Sequence, residues 1–232
     1  MRYNYGGWLY YLIAVLGFDE RHVIKSLLRL GFKNVNSVYL VVPSGRITRQ
    51  TDDAVKRIKE VAGLAGVNRV ELVEVEPVEF GSAVSKLRRL LMSLSVGEGF
   101  ITVSLGGGMR AMVIEMLVAT LLLPSDIGSR VNLVCDLETG EGFIELSVFD
   151  IISFTQLSYD ELKVLSYFIM KGSVGPTQIS KEFNIPKTTA WKLLKRLYEK
   201  GYLLKDGREY RLSENGKRVG VIASDMIKEF RT

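Results

Sequence analysis

A single cysteine, Cys135, and a single histidine, His22, stand in a chain of 232 residues. One cysteine excludes an internal disulfide and a cysteine-based zinc site, and it points to a reduced, cytoplasmic setting. One histidine excludes a multi-histidine metal site and leaves little room for a Ser-His-Asp triad. A bilayer-length apolar run is also lacking. Residues 8–18 are apolar, but Asp19 and Glu20 follow instead of a small-residue cleavage site. Residues 111–123 are apolar, but the run contains Glu115 and is too short to span. Neither a membrane segment nor a secretion signal is expected. Internal repeats are absent as well. Hydrophobic residues make up 47% of the chain, enough apolar area to offset chain entropy and exclude disorder.

Charge is unevenly spread. Residues 1–152 carry 16 Lys and Arg against 17 Asp and Glu, whereas residues 153–232 carry 15 against 9. A near-neutral front and a basic tail predict two domains, the second with an anionic partner.

The front alternates in period. Residues 12–16 form a continuous apolar run, the pattern of a strand covered on both faces. Residues 19–30 then repeat Val23, Ile24, Leu27 and Leu28 at helical spacing, with Gly31 as the stop. Further strands are predicted at 38–42, 70–75 and 100–105. Helices are predicted at 51–64, capped by Thr51, at 81–93 and at 109–123, ended by Pro124. Residues 131–135 and 142–147 read as a hairpin turning at 139–141. This alternation predicts an α/β domain with a Rossmann-like, mostly parallel sheet and helices on both faces. Ligands of such sheets bind beyond the carboxyl ends of the strands. That rule singles out Gly17, Phe18, Asp19 and Glu20, then Pro43, Ser44, Gly45 and Arg46, then Gly106 to Arg110.

After a connector at 149–157 the pattern becomes helical. Helices are predicted at 159–170 behind Ser158, at 177–183 behind Thr177 and at 187–200. A hairpin turning at Asp206 and Gly207 follows, and a last helix runs from Ser213 to residue 230. Three helices and a hairpin are the order of a winged helix-turn-helix domain. In the third helix Ala190, Leu193, Leu194, Leu197 and Tyr198 form the expected core stripe, and Trp191 is expected to pack inward. The opposite face presents Lys187, Thr188, Thr189, Lys192, Lys195 and Arg196, hydroxyls and cations suited to a major groove. Lys205 and Arg208 flank the wing turn. A protein–protein adaptor is the alternative, but the exposed faces of such adaptors are often neutral or acidic.

Gly106, Gly107, Gly108, Met109 and Arg110 lie between an apolar strand and an apolar helix. Glycines allow close approach of backbone amides to a ligand, the helix N-terminus adds positive potential, and Arg110 adds a forked cation. The spacing matches neither the dinucleotide fingerprint nor a P-loop. Met109, Met112 and Met116 read as core or dimer packing. Cys135 reads as an inert packing residue, and His22 as a surface or ion-paired one.

Residues 15–20 after the first strand, 41–44 after the second, 105–110 after the fourth, and the terminal winged helix together resemble the CRISPR-associated Rossmann-fold (CARF) transcriptional regulators of archaea. The likeness extends over nearly the whole chain in order and spacing. It implies a sensing and dimerisation domain at 1–148, the connector at 149–157 and a DNA-binding domain at 158–232. It further implies a cytoplasmic homodimer that regulates CRISPR loci and binds a cyclic oligoadenylate, typically the tetra-adenylate, on its twofold axis. Carried over by position, the ligand residues are Gly17, Phe18, Asp19, Glu20, Ser44, Arg46, Gly106, Gly107, Gly108, Met109 and Arg110. No metal, cofactor or catalytic role is expected. Some CARF proteins resemble ring nucleases, for which Ser44, Arg46 and Arg110 would serve, but nothing in the sequence demands cleavage. Should Arg110 miss the ligand, the alternative is an ion pair with Glu115 across the dimer interface.

Overall fold

A computed structural model describes residues 9–45, 47–96, 99–137, 139 and 141–229. Chain contacts divide it into two compact units, Met1–Ile152 and Ser153–Thr232.

The first unit runs β1 (Tyr10–Val15), α1 (Arg21–Leu30), a 3-10 turn (Phe32–Asn34), β2 (Val35–Pro43), α2 (Arg49–Leu64), β3 (Arg69–Val75) and α3 (Phe80–Leu94). It continues with β4 (Phe100–Ser104), α4 (Arg110–Leu121), α5 (Ser125–Gly128), β5 (Val131–Asp136), β6 (Phe143–Ser147) and α6 (Val148–Thr155), the last of which crosses the division. The strands form one sheet in the order β3-β2-β1-β4-β5-β6. All neighbours are parallel except β5 and β6. The apolar run of β1 explains its central place. Leu12 and Ala14 join the core beneath α1 and α2, while Ile13 and Val15 join the core beneath α3 and α4. Each fully buried Leu, Ile or Val side chain contributes about 1.5–3 kcal/mol relative to exposure. The expected Rossmann-like layering, with helices on both faces, is the observed one.

Local details differ from the sequence reading. Helix α1 buries His22, Val23, Ser26 and Leu27, while Leu28 is exposed. Polar partners turn the helix this way: Ser26 Oγ donates to Ser104 Oγ at 3.3 Å, and His22 Nε2 lies 3.1 Å from the Val15 carbonyl. Helix α2 is capped by Thr48, whose Oγ1 accepts the Thr51 N–H at 3.2 Å. The segment read as a connector is largely the helix α6, because Val148, Ile151 and Ile152 seat on the core. Cys135 is exposed rather than packed; it pairs with Ile144, itself half exposed at the sheet edge. The expected hairpin turn includes Gly140, which lies outside the described residues. No described helix is long and apolar enough to cross a membrane.

The second unit runs α7 (Tyr159–Lys171), β7 (Ser173–Val174), α8 (Pro176–Glu182), α9 (Lys187–Glu199), β8 (Leu203–Asp206), β9 (Glu209–Leu212) and α10 (Glu214–Glu229). Strand β9 is the centre of an antiparallel sheet, β7-β9-β8. This order of helices around a three-stranded sheet is compatible with a winged helix-turn-helix domain. Ser158 and Glu161 form a reciprocal capping box at the start of α7, and Ser213 Oγ accepts the Gly216 N–H at 2.9 Å. Helix α8 begins at Pro176, with the Gly175 N–H donated to Gln178 Oε1, instead of behind Thr177. The α9 stripe Ala190, Leu193, Leu194 and Leu197 is buried as its spacing predicts. Tyr198 and Trp191 are instead half exposed.

Candidate functional site

The β1–α1 and β4–α4 turns leave adjacent parallel strands at the point where the strand order reverses. Their glycines answer first to the protein itself. A Cβ on Gly17 would lie 2.9 Å from Gly108 N, so the two turns touch backbone to backbone. Gly108 has φ +85, and its Cβ would lie 2.5 Å from Val15 Cγ1. Gly106 and Gly107 lie over His22: a Cβ on Gly107 would come within 2.3 Å of the ring. His22 is therefore buried beneath the glycine turn, in contrast to the surface position read from the sequence. The Val15 carbonyl can only accept, so a hydrogen bond there requires the proton on Nε2. Burial pushes the imidazole below its usual pKa.

Above these turns lies an open cleft of about 800 Å³. The β1–α1 side contributes Leu16, Gly17, Phe18, Asp19, Arg21, His22 and Lys25. The β2–α2 side contributes Pro43, Thr48 and Thr51. The third wall is Gly106, Gly107, Gly108, Met109 and Arg110, and the fourth is Asp136 and Leu137. The carboxylate of Asp19 accepts from the Arg21 amide at 2.9 Å and from its guanidinium, which holds the carboxyl below its ordinary range. The first amide of α1 is thus occupied. At α4, by contrast, Met109 makes no side-chain cap. The N-terminal end of α4, at Met109 and Arg110, lines the cleft without that competitor, as in anion-binding helix N-termini. Arg110 is exposed beside them and has no side-chain partner among the described residues. Asp136 is held in a fork by Arg29, at 2.7 and 3.0 Å, and the Arg29 guanidinium lies 4.4 Å from the ring centre of Phe143.

Of the expected ligand residues, Gly17, Phe18, Asp19, Gly106, Gly107, Gly108, Met109 and Arg110 line the cleft. Glu20 does not; Arg57 of α2 holds its carboxylate at 3.1 Å. Ser44 does not either, and its amide is donated to the Val75 carbonyl. Arg46 lies outside the described residues. The sequence reading missed Arg21 and Lys25, whose i, i+4 spacing places them on one face, and Asp136 at the carboxyl end of β5. Glu115, the expected alternative partner of Arg110, is not at the surface of the chain. It is fully buried on the core-facing stripe of α4, and its carboxylate oxygens have no partner among the described residues. Burial, and then Glu76, push its carboxyl up, which favours the neutral acid.

In the second unit Lys187, Thr188, Thr189 and Lys192 are exposed along the first turns of α9, and Lys205 and Arg208 flank the wing turn. The rear of the face is committed internally. Lys195 pairs with Glu199 at 3.5 Å, and its Nζ lies 5.4 Å from the Trp191 ring centre. Arg196 stands 3.9 Å from Glu161, which is buried and accepts from Lys200 at 3.0 and 3.1 Å. Burial alone would raise the Glu161 carboxyl, but the Ser158 amide and Lys200 outweigh it and hold the carboxyl low.

Residues 10–147 match the Csa3 CRISPR-associated Rossmann-like domain. The chain belongs to that family. The Csa3 match takes in every described wall of the cleft and ends before the winged unit. A 65-residue stretch is 38% identical to the phenylalanine–tRNA ligase alpha subunit of Sulfolobus acidocaldarius; it covers 27% of this chain and 14% of that subunit. Solved structures with some likeness include protein VC1899 from Vibrio cholerae, with a TM-score of 0.42 and 11% identity over 96% of this chain and 68% of that one. Another is Enterococcus italicus Csm6 bound to cyclic hexa-2'-fluoro-hexa-dAMP, with a TM-score of 0.49 and 8% identity over 97% of this chain and 54% of that one.

Proposed function

We propose that this Csa3-family chain is a ligand-responsive regulator of CRISPR loci that binds cyclic oligoadenylate through its first unit and duplex DNA through its second. The observation that carries the reading is the cleft within the family-matched residues: two glycine turns, the uncapped N-terminus of α4 and Arg110 converge on one opening. Backbone amides and a guanidinium suit phosphodiesters, and the exposed Phe18 and Met109 offer apolar faces to bases. The sensor is assigned to 1–148, the link to 149–157 and the DNA reader to 158–232. Lys187, Thr188, Thr189 and Lys192 approach the major groove, and Lys205 and Arg208 the neighbouring backbone.

The active form is a cytoplasmic homodimer. Helix α4 is apolar around its circumference: Met112, Met116 and Ala119 are buried, while Ile114 and, just past its end, Leu122 are half exposed. A helix of this kind belongs between two layers, and a second copy supplies the missing one. The chain acts as a binder. Of Ser44 and Arg110, two of the groups that ring cleavage would recruit, only Arg110 lines the cleft.

Isothermal titration of the full chain against cyclic tri-, tetra- and hexa-adenylate tests the reading. One ring size is expected to bind saturably, with one ring per two chains. A folded dimer that binds none of them contradicts it.

A further inference from the structure

The one histidine of the chain lies in the wall of the cleft, buried under the glycine turn. Two main-chain carbonyls face its ring, that of Val15 at 3.1 Å from Nε2 and that of Asp19. A neutral imidazole has one N–H and can satisfy one of them; an imidazolium can satisfy both. The charged groups around it come from every side of the cleft. Asp19 precedes α1 and Asp136 ends β5, and both favour the charged ring. Arg21 and Lys25 on α1 and Arg110 on α4 line the same cleft and oppose it, while the glycine turn carries no charge. Asp19 is already forked to Arg21 and Asp136 to Arg29, so burial prevails and the ring is neutral in the ligand-free protein.

We propose that His22 is a proton-linked sensor of the cleft: a phosphate-bearing ligand draws one solvent proton onto the imidazole. The imidazolium then fastens the β1–α1 turn beneath Gly106 and Gly107. Binding and protonation support each other by linkage, since anion phosphates shift the balance that burial holds toward neutrality. Phosphodiesters do not titrate near neutrality, so the pH dependence of binding belongs to the protein. The inference rests on the cleft being an anion site, as proposed above.

With one histidine, nuclear magnetic resonance reads the imidazole directly in the intact protein. In the free chain His22 is expected to titrate below the ordinary histidine range. Saturation with cyclic tetra-adenylate is expected to raise its midpoint by about one pH unit or more. Between the two midpoints the dissociation constant should rise about tenfold per unit of rising pH. His22→Gln, which keeps an N–H donor but cannot titrate, is expected to lose that dependence. An imidazole titration that saturation leaves unmoved overturns the proposal, as does a wild-type pH profile in His22→Gln. Should cyclic oligoadenylates fail to bind, the ligand assignment fails, and the same titration with sodium tripolyphosphate decides the role of His22. A shift supports it, and an unmoved ring with both probes overturns it.

Discussion

Around the candidate cleft of the Rossmann-like unit three carboxylates are each held by an arginine: Asp19 by Arg21, Asp136 by Arg29 and Glu20 by Arg57. What remains for a ligand is chiefly backbone, a helix terminus, Arg110 and the apolar side chains of Phe18 and Met109. On α9 of the winged unit the division runs along the helix instead, with Lys187 and Lys192 open to solvent and Lys195 and Arg196 committed to Glu199 and Glu161. A concave site of fixed dipoles selects shape, whereas a convex row of free cations gives affinity that falls with salt. Net charge alone would have credited all basic residues of α9 equally. The pairings separate them, and mutations can test that separation.

The largest effect is expected for Gly107→Val. Its side chain has no room above the His22 ring. Titration should show cyclic oligoadenylate binding abolished, and thermal melting should show a loss of about 1–3 kcal/mol from overpacking. Arg110→Ala removes an exposed charge and should leave the melt unchanged. It should weaken ligand binding about 10–150-fold, the range of a charge-assisted contact worth about 1.5–3 kcal/mol. In the winged unit, Lys187→Ala with Lys192→Ala should weaken duplex binding roughly tenfold or more and lower the salt slope by about 0.9 per lost phosphate contact. Arg196→Ala should change DNA affinity less than either, because its guanidinium already faces Glu161; an equal loss would erase the division drawn along α9. The smallest effect is on stability against pH. The His22 pKa is lowered in the folded state, so unfolded chains take up that proton first. The ligand-free protein should therefore lose stability as pH falls below about 6.5 and show no histidine contribution above it. His22→Gln should flatten that arm of the melting curve.

Much of the fold was legible because periodicity reports burial. The unbroken apolar run of β1 identified a strand covered on both faces, and the order of strands and helices fixed the layering. The same rule located the glycine turns, since strand ends are readable from sequence. It failed where a polar residue is buried by a partner distant in the chain. His22 and Ser26 face inward because Val15 and Ser104 meet them, and no local pattern of α1 contains that information. Counting only apolar residues set the stripe on Val23, Ile24, Leu27 and Leu28, of which Val23 and Leu27 are buried, whereas His22 and Ser26 complete the buried face. The meaning of the glycines was partly hidden for the same reason. Their need for space is dictated by His22 and Val15 as much as by any ligand. Residues 149–157 read as a connector, although most of them belong to helix α6, because a short helix held by three apolar side chains carries too little pattern to stand out.

The central claim is that occupancy of the cleft in the first unit changes DNA binding by the second. Fluorescence anisotropy of a duplex from a CRISPR-locus promoter, titrated with the full chain with and without saturating cyclic tetra-adenylate, measures this directly. The account predicts a change in DNA affinity of about 5–150-fold, matched by the same factor in ligand affinity when DNA is present. Identical DNA affinity in the two titrations, with the ligand shown to be bound, would contradict it.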